Sequence, residues 1–208
     1  MTPRVVNQEM RSYYERRAHE YDDWWLGTGA FAERQRPGWS EEVGKLEEVV
    51  RGLPPARVLD VACGTGFLTR HLRGDVVALD QSPAMLAIAR ERLLAARLVG
   101  ADAVPLPFGD GEFDRVFTSH FYGHLLPGER EAFLVEARRV ASELVVVDAA
   151  LREGIPAEGW PERQLADGTA YRVYKRFFRG DQLARELGGG ELLHGGRWFV
   201  VVSVSSAS

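Results

Sequence analysis

The feature that most constrains the fold is an alternation of short apolar runs with helical stretches between residues 57 and 150. The apolar runs are RVLDVA (57–62), VVALD (76–80), RLVGAD (97–102), FDRVFTS (113–119) and ELVVVDAA (143–150). Each run is continuous, as is typical of strands that are buried on both faces of a parallel sheet. Repeated strand–helix–strand units predict an α/β fold with helices on both faces of the sheet.

The segments around these runs predict helices and a change of architecture towards the C-terminal end. Helical spacing predicts helices over residues 4–25, 39–51, 67–74, 82–96 and 127–141. Further along, Asp167-Gly168 lies between two extended runs, which is typical of a hairpin. A short helix (181–187) and two strands around Gly195-Gly196 follow. We therefore expect antiparallel strands at this end.

Composition and charge narrow the class of partner. The chain has 208 residues, 45% of them hydrophobic, which fits one domain with a sizeable core. Its net charge is −4 and it has no block of basic residues, so nucleic acid is not expected and a small molecule is favoured. Cys63 is the only cysteine, and no apolar run has the roughly 18 residues that span a bilayer. We expect a cytoplasmic protein with no membrane span.

A glycine turn and three aspartates mark the expected ligand site. The turn Gly64-Thr65-Gly66 follows the first strand, and Asp60, Asp80 and Asp102 lie near the ends of the first three strands. In open α/β sheets, ligands bind beyond the carboxyl ends of the strands. Carboxylates in such a partly buried place need hydrogen-bond donors or a cation. A ligand that is rich in both is therefore predicted.

Two nucleotide-like ligands differ in how well they fit the glycine turn and the three aspartates. A dinucleotide fingerprint needs a third glycine, but Thr69 is at that position, and Asp60 would repel a pyrophosphate. S-adenosylmethionine has a sulfonium, an ammonium, a ribose diol and an adenine amine, and it has no phosphate. Asp60 can meet its methionine end, Asp80 the diol and Asp102 the amine.

Four segments of the chain carry a family resemblance. They are VLDVACGTG, VVALDQSPAML, GADAVPLPFGDGEFDRVFTSHFYGHL and VVVDAA. They resemble the successive motifs of class I S-adenosylmethionine-dependent methyltransferases, in the small-molecule branch that includes quinone-biosynthesis enzymes. The resemblance implies a Rossmann-like fold, whose seven-stranded sheet is mainly parallel with an antiparallel last strand, and an N-terminal helical lid. Ala62 departs from the motif, since it replaces its first glycine.

The resemblance also implies a cofactor and the residues that contact it. The cofactor would be S-adenosyl-L-methionine and the product S-adenosyl-L-homocysteine. The implied cofactor-binding residues are Tyr14, Tyr21, Asp60, Ala62, Gly64, Gly66, Asp80, Gln81, Ser82, Met85, Asp102, Ala103 and Ser119. Tyr14, Ala18, Tyr21 and Trp25 recur at helical spacing, which fits either a helix packed by its aromatic face or a lid over the cofactor.

The acceptor side is expected after the fourth strand, in SHFYGHL. His120 is a candidate general base or substrate contact, and His124 is a packing residue or, failing that, a catalytic one. The spacing of His, Asp and Glu suggests no metal site. The later hairpin carries basic and aromatic residues, including Arg163 and Lys175. It is either a cover that contacts the acceptor or an edge hairpin kept unpaired by its charges, and we favour the second.

These expectations combine into one hypothesis with two alternatives. The hypothesis is a single domain over 1–208, divided into a lid (1–52), a cofactor-binding core (53–150) and a substrate-side region (151–208). It would transfer a methyl group from the cofactor to a small-molecule O, N or C nucleophile. The alternatives are a non-catalytic protein that binds the same cofactor, and a nicotinamide-dependent oxidoreductase.

Overall fold

A computed structural model describes residues 8–205 of the chain. In chain order, the strands are β1 (Ala56–Val61), β2 (Gly74–Asp80), β3 (Arg97–Gly100), β4 (Phe113–Ser119), β5 (Ala141–Ala149), β6 (Glu158–Gly159), β7 (Glu162–Gln164), β8 (Ala170–Arg172), β9 (Lys175–Arg176), β10 (Glu191–Gly195) and β11 (Phe199–Ser205). The α-helices are α1 (Gln8–Arg17), α2 (Tyr21–Leu26), α3 (Trp39–Gly52), α4 (Pro83–Arg92), α5 (Pro127–Val140) and α6 (Gly180–Glu186).

Seven of these strands form one mixed sheet in the order β10-β11-β5-β4-β1-β2-β3. Strands β1 to β5 pair with one another in parallel, whereas β11 runs antiparallel to both β5 and β10. The fold class predicted from the sequence is thus confirmed. The chain builds β1, β2 and β3 outwards in one direction and then returns to place β4 on the other side of β1. This reversal creates a crevice at the carboxyl ends of β1 and β4, the usual ligand position in such sheets.

The core lies on both faces of the sheet, because alternate residues of a strand point to opposite sides. Leu144 and Val146 enter the cluster that α5 and α6 cover, while Val145 and Val147 enter the cluster that α3 covers. All of β1 from Val58 onwards is buried. Two-sided burial explains why the inner parallel strands read as mostly apolar runs in the sequence, whereas β3, at the edge of the sheet, is only partly buried.

The N-terminal helical segment is interrupted where a single helix is predicted. Helix α1 ends at Arg17, a 3-10 turn covers Ala18–Glu20, and α2 begins at Tyr21; residues 4–7 of the prediction lie outside the described residues. The two halves are fixed to opposite ends of α4, since Glu15 contacts Ser82, the N-cap, whereas Asp22 contacts Arg92, the last residue of the helix. Tertiary contacts therefore override local periodicity here. The helix predicted over 39–51 is confirmed as α3.

The helix predicted over 67–74 is wrong. This segment has only a 3-10 turn at Thr69–His71, and the chain is already extended at Leu72 before β2 begins at Gly74. The stretch between the glycine turn and β2 is too short for several helical turns followed by a return to the sheet. The helix predicted over 82–96 forms as α4 but ends at Arg92.

The predicted hairpin forms, with its tip at Asp167-Gly168, but it is not an edge of the main sheet. Strands β7 and β8 make a separate two-stranded ribbon. The ribbon packs against α1, where Arg16 donates hydrogen bonds to the Tyr171 hydroxyl and to Asp167. The favoured interpretation as an edge hairpin is therefore corrected: this element is held against the N-terminal helix.

Candidate functional site

A cavity lies at the carboxyl ends of β1, β2 and β4, and α1 and α2 close it from above. The predicted site residues that line it are Tyr14, Tyr21, Ala62, Gly64, Asp80, Gln81, Ser82, Met85, Ala103, Ser119, His120 and His124. Three predicted residues, Asp60, Gly66 and Asp102, are outside this lining. Most of the residues selected from the sequence therefore lie together at the carboxyl ends of the strands, where ligands bind in open α/β sheets.

The aspartate at the end of β2 organises the two turns that form the floor of this cavity. Asp80 is 8% exposed, and its carboxylate accepts hydrogen bonds from the backbone N–H of Gly64 at 2.8 Å and of Ser82 at 2.9 Å. Burial raises the pKa of Asp80. Ser82 also caps α4, since its hydroxyl accepts from the Met85 N–H at 3.1 Å. The carboxylate thus couples the glycine turn to the start of α4.

The glycine turn requires left-handed backbone at three positions, and one of them is not glycine. Gly64 has φ +55°, Gly66 φ +76° and Ala62 φ +59°. Alanine pays a steric cost for this conformation that glycine does not. The departure from the family motif at Ala62 is therefore a strained position. At Gly66 close packing is a second reason for glycine, since a Cβ would lie 2.8 Å from the Leu93 side chain.

Substituting Ala62 by glycine is expected to raise the free energy of unfolding by about 1 kcal/mol, the strain relieved less the added freedom of the unfolded chain. Urea denaturation measures this. The matched control is Ala78→Gly, in extended and fully buried backbone of β2, which is expected to lower stability. Equal losses in both variants would contradict left-handed strain at Ala62.

Asp60 is a buried carboxylate with one oxygen unpaired. It is 2% exposed; Oδ2 accepts a hydrogen bond from the Thr69 hydroxyl at 2.5 Å, and Oδ1 has no partner among residues 8–205. Burial raises the pKa of Asp60 to about 8, with a further contribution from the negative charge of Asp80. The buried Ser119 hydroxyl also lacks a partner in this part of the chain. Both groups line one small cavity with Tyr21 and Trp25. Because this acidic cavity contains buried oxygen atoms that lack hydrogen-bond donors, it fits a cationic group that carries N–H donors.

Of the three carboxylates expected together at this partly buried edge of the sheet, two are buried and the third, Asp102, is exposed. Asp102 lies two residues beyond the end of β3, its side chain is 52% exposed, and Arg11 pairs with it at 2.5 Å. Arg11 also donates to the Gln81 side chain at 2.9 Å. Sequence reasoning missed Arg11 and Glu15, which lie one helical turn apart on α1 and fix it over the β2–α4 turn. That i, i+4 spacing was the available signal.

The two tyrosines predicted to form a lid take different positions. The Tyr14 hydroxyl lies 2.8 Å from His124 Nε2, and His124 Nδ1 lies 2.6 Å from the Tyr174 carbonyl oxygen. Because a carbonyl only accepts, Nδ1 carries the proton and Nε2 accepts from Tyr14. Burial holds the pKa of His124 well below its ordinary value. The Tyr21 ring packs over Gly64, 3.7 Å from where a Cβ would be.

His120 occupies a strained position at the end of β4. It has φ +55°, and its backbone N–H donates to the Val147 carbonyl at 2.8 Å. The edges of Trp24 and Trp25 pack against its ring. The buried Nε2 has no partner among the described residues. Burial, together with the positive charge of Lys175, lowers the pKa of His120 to about 3, so the ring is neutral at pH 7.

A second cavity of about 390 Å³ adjoins the first and shares Tyr14, Tyr21, His120 and His124 with it. Its volume lies in the range of small-molecule sites. Basic side chains from the β6–β9 region and from the α2–α3 connection line it, with several tryptophans. The two cavities therefore meet at these four shared residues, one of which is His120.

Two further findings concern the described part of the chain. Within residues 8–205, no group of three or more His, Cys, Asp or Glu side chains has an arrangement that could hold a metal ion. No helix in this range combines the length and the apolar character that crossing a bilayer would require.

Comparison with known proteins agrees with this geometry. A family model described as a methyltransferase domain matches residues 58–143. The structure of a DhpI–SAH complex superposes with a TM-score of 0.76 at 27% identity and covers 100% of both chains. Residues 58–143 of the chain therefore resemble a methyltransferase domain. The predicted family resemblance is thus confirmed.

Curated relatives of this chain include proteins named demethylmenaquinone methyltransferase. Demethylmenaquinone methyltransferase of Thermus thermophilus is 38% identical over 132 residues, 58% of this chain and 54% of the relative. The Thermotoga maritima enzyme of the same name is 35% identical over 46% of this chain and 43% of its own length. The chain therefore spans about half the length of the curated relatives it matches, and these names do not identify its acceptor.

Proposed function

We propose that this chain binds S-adenosyl-L-methionine and transfers its methyl group to a small-molecule O, N or C nucleophile, releasing S-adenosyl-L-homocysteine. The observation that carries the proposal is the unpaired Asp60 Oδ1, buried beside a glycine turn at the switch point of the sheet. A cationic, phosphate-free nucleoside satisfies it. A pyrophosphate there would face both Asp60 and Asp80, which disfavours a nicotinamide cofactor.

Each predicted cofactor residue receives a role from its position. Asp80 would accept hydrogen bonds from the ribose hydroxyls, and Gln81, Ser82 and Met85 would flank the nucleoside. Ala103, with Asp102 at the exposed rim, would meet the adenine. Asp60 and Ser119 would meet the methionine end beyond Ala62, Gly64 and Gly66. Tyr14 and Tyr21 would cover the cofactor and keep water out.

The chemistry needs alignment more than acid–base assistance. When bound, the cofactor would supply an electrophilic methyl carbon, which takes an electron pair from the acceptor while the sulfur keeps the pair of the broken bond. This chain's residues have to hold the acceptor in line with that carbon and exclude water. His120, with a pKa of about 3, is too weakly basic to remove a proton efficiently at pH 7. We therefore assign it to acceptor contact, and His124 to fixing the position of Tyr14.

The second cavity favours an enzyme over a protein that only binds the cofactor, because it leaves room for an acceptor next to His120. The proposal keeps the division into lid (1–52), core (53–150) and substrate side (151–208). It also keeps a cytoplasmic location, which rests on the single cysteine.

Binding and turnover can be tested separately. Isothermal titration of the purified chain with S-adenosylmethionine, S-adenosylhomocysteine and NAD⁺ is expected to show binding of the first two only. An acceptor panel, scored by formation of S-adenosylhomocysteine, then measures transfer. Binding of NAD⁺ in place of the sulfonium cofactor would overturn the proposal. Tight S-adenosylmethionine binding without turnover on any acceptor would favour the non-catalytic alternative.

A further inference from the structure

The cavity beside His120 concentrates positive charge in a chain that is acidic as a whole. Its lining includes six basic side chains and no acidic one: Arg17, Arg34, Arg36, Arg152, Arg163 and Lys175. Among residues 8–205, only Lys175 of these has a carboxylate within 4.0 Å, that of Asp148 at 2.5 Å. The net charge of the chain is −4, so this concentration is local.

Two of these guanidinium groups have buried donors that lack acceptors. Arg17 is 5% exposed, and its Nη2 has no hydrogen-bond partner within the described range. The buried Nε of Arg163 also has no partner among these residues. Arg17 is surrounded by the rings of Tyr13, Tyr21 and Phe31, which attract its charge without accepting a conventional hydrogen bond. A buried charged donor without an acceptor is costly, and an anionic ligand would remove that cost.

Lys175 and Arg163 lie at the end of this cavity that meets the cofactor side. Both positive charges lower the pKa values of His120 and His124, after the larger effect of burial. Lys175 is 4% exposed and donates one hydrogen bond to a described residue, Asp148; that carboxylate also accepts from the N–H groups of Gly123 and Ala149. An ammonium group has three donors, so Lys175 retains donors for a ligand.

The cofactor of the proposed function cannot balance this charge. S-adenosylmethionine carries one carboxylate against one sulfonium and one ammonium, so its binding adds net positive charge to the site. Its single carboxylate can neutralise at most one of these positive charges. The buried donors of Arg163 and Lys175 are therefore available to an anion supplied by the second substrate.

We propose that the methyl acceptor is a small oxyanion, a carboxylate, phosphate or phosphonate, whose anionic group is bound by Arg163 and Lys175 beside His120. The rest of the acceptor packs against the tryptophans that line the same cavity, Trp24, Trp39 and Trp198. Planar guanidinium groups bind such oxyanions through paired hydrogen bonds, which gives orientation as well as affinity. This inference rests on the proposed function and names its substrate class.

The test uses the full chain saturated with S-adenosylhomocysteine, titrated with three probes of similar shape: benzoate, phenylphosphonate and benzamide. Isothermal titration measures binding. Both anions are expected to bind at least tenfold more tightly than benzamide, with affinity falling as salt is added. The tighter of the two anions identifies the carboxylate or phosphorus oxyanion as the natural group. Equal binding of benzamide and the anions would overturn the inference.

Variants locate the site. Arg163→Gln is expected to weaken anion binding about tenfold or more, Arg163→Lys to recover part of that loss, and both to leave S-adenosylhomocysteine affinity unchanged. The control Arg179→Gln removes a charge from an exposed side chain outside the cavity and is expected to change neither affinity. If S-adenosylhomocysteine itself does not bind, the proposed function fails and this inference with it. If it binds and Arg163→Gln leaves anion affinity unchanged, only this inference fails.

Discussion

Replacing Asp80 by alanine is expected to weaken S-adenosylmethionine binding by about 100-fold or more, as measured by isothermal titration. The ribose hydroxyls would lose the carboxylate that accepts their hydrogen bonds, and hydrogen bonds to a charged group contribute about 1.5–3 kcal/mol each. It would also leave the N–H groups of Gly64 and Ser82 without their acceptor, so the glycine turn would lose its attachment to α4. S-adenosylhomocysteine binding should fall equally, because the ribose is common to both.

The matched comparison is Asp102→Ala. Both aspartates follow strands of the same sheet, but Asp102 is half exposed and paired with Arg11 in contact with solvent. Such pairs contribute about 0–1 kcal/mol, so we expect a change in affinity of about threefold or less. Equal losses in the two variants would show that the cofactor depends on the exposed rim as much as on Asp80, against the arrangement proposed here.

The sheet could be predicted from the sequence because its inner parallel strands are largely buried on both faces. Two-sided burial turns a strand into a continuous apolar run, and β1, β2, β4 and β5 are all such runs. Short connections are harder to predict. The segment 67–74 has helical spacing, yet β2 has to pair with β1 from Gly74 onwards, and this pairing leaves room only for a 3-10 turn.

The cofactor side of the site was predictable for a topological reason, and the acceptor side was not. Parallel strands end at one edge of the sheet, so Asp60 and Asp80 could be placed together from their positions alone. The basic cavity is assembled from Arg17, Arg36, Arg152 and Arg163, which are far apart in sequence. No periodicity connects such residues. The left-handed backbone of Ala62 was equally hidden, since the amino acid itself gives no sign of a positive φ.

Replacing Asp60 by asparagine is expected to stabilise the free protein at pH 8 by several kcal/mol and to weaken S-adenosylmethionine binding by about 100-fold. The folded-state pKa of Asp60 is raised from 3.8 to about 8. Below pH 3.8 the Asp60 carboxyl group is protonated in both the folded and the unfolded state. As the pH rises from 3.8 towards 8, only the unfolded state ionises, so the folded state loses stability, by about 1.4 kcal/mol per pH unit at most. Asparagine cannot ionise, so the variant escapes this loss while its oxygen still accepts from Thr69.

Urea denaturation of the free protein at pH 5 and pH 8 measures the first effect, and titration with the cofactor at pH 8 measures the second. The stability advantage of Asp60→Asn should grow between the two pH values, and Asp75→Asn, at the exposed beginning of β2, should show neither effect. If the carboxylate serves a cationic ligand, Asp60→Asn should raise the stability of the free protein and lower its cofactor affinity. The ligand favours the ionised carboxylate, which the fold without ligand disfavours. A variant that lost stability and kept its cofactor affinity would show instead that Asp60 serves only the packing of β1 against Thr69.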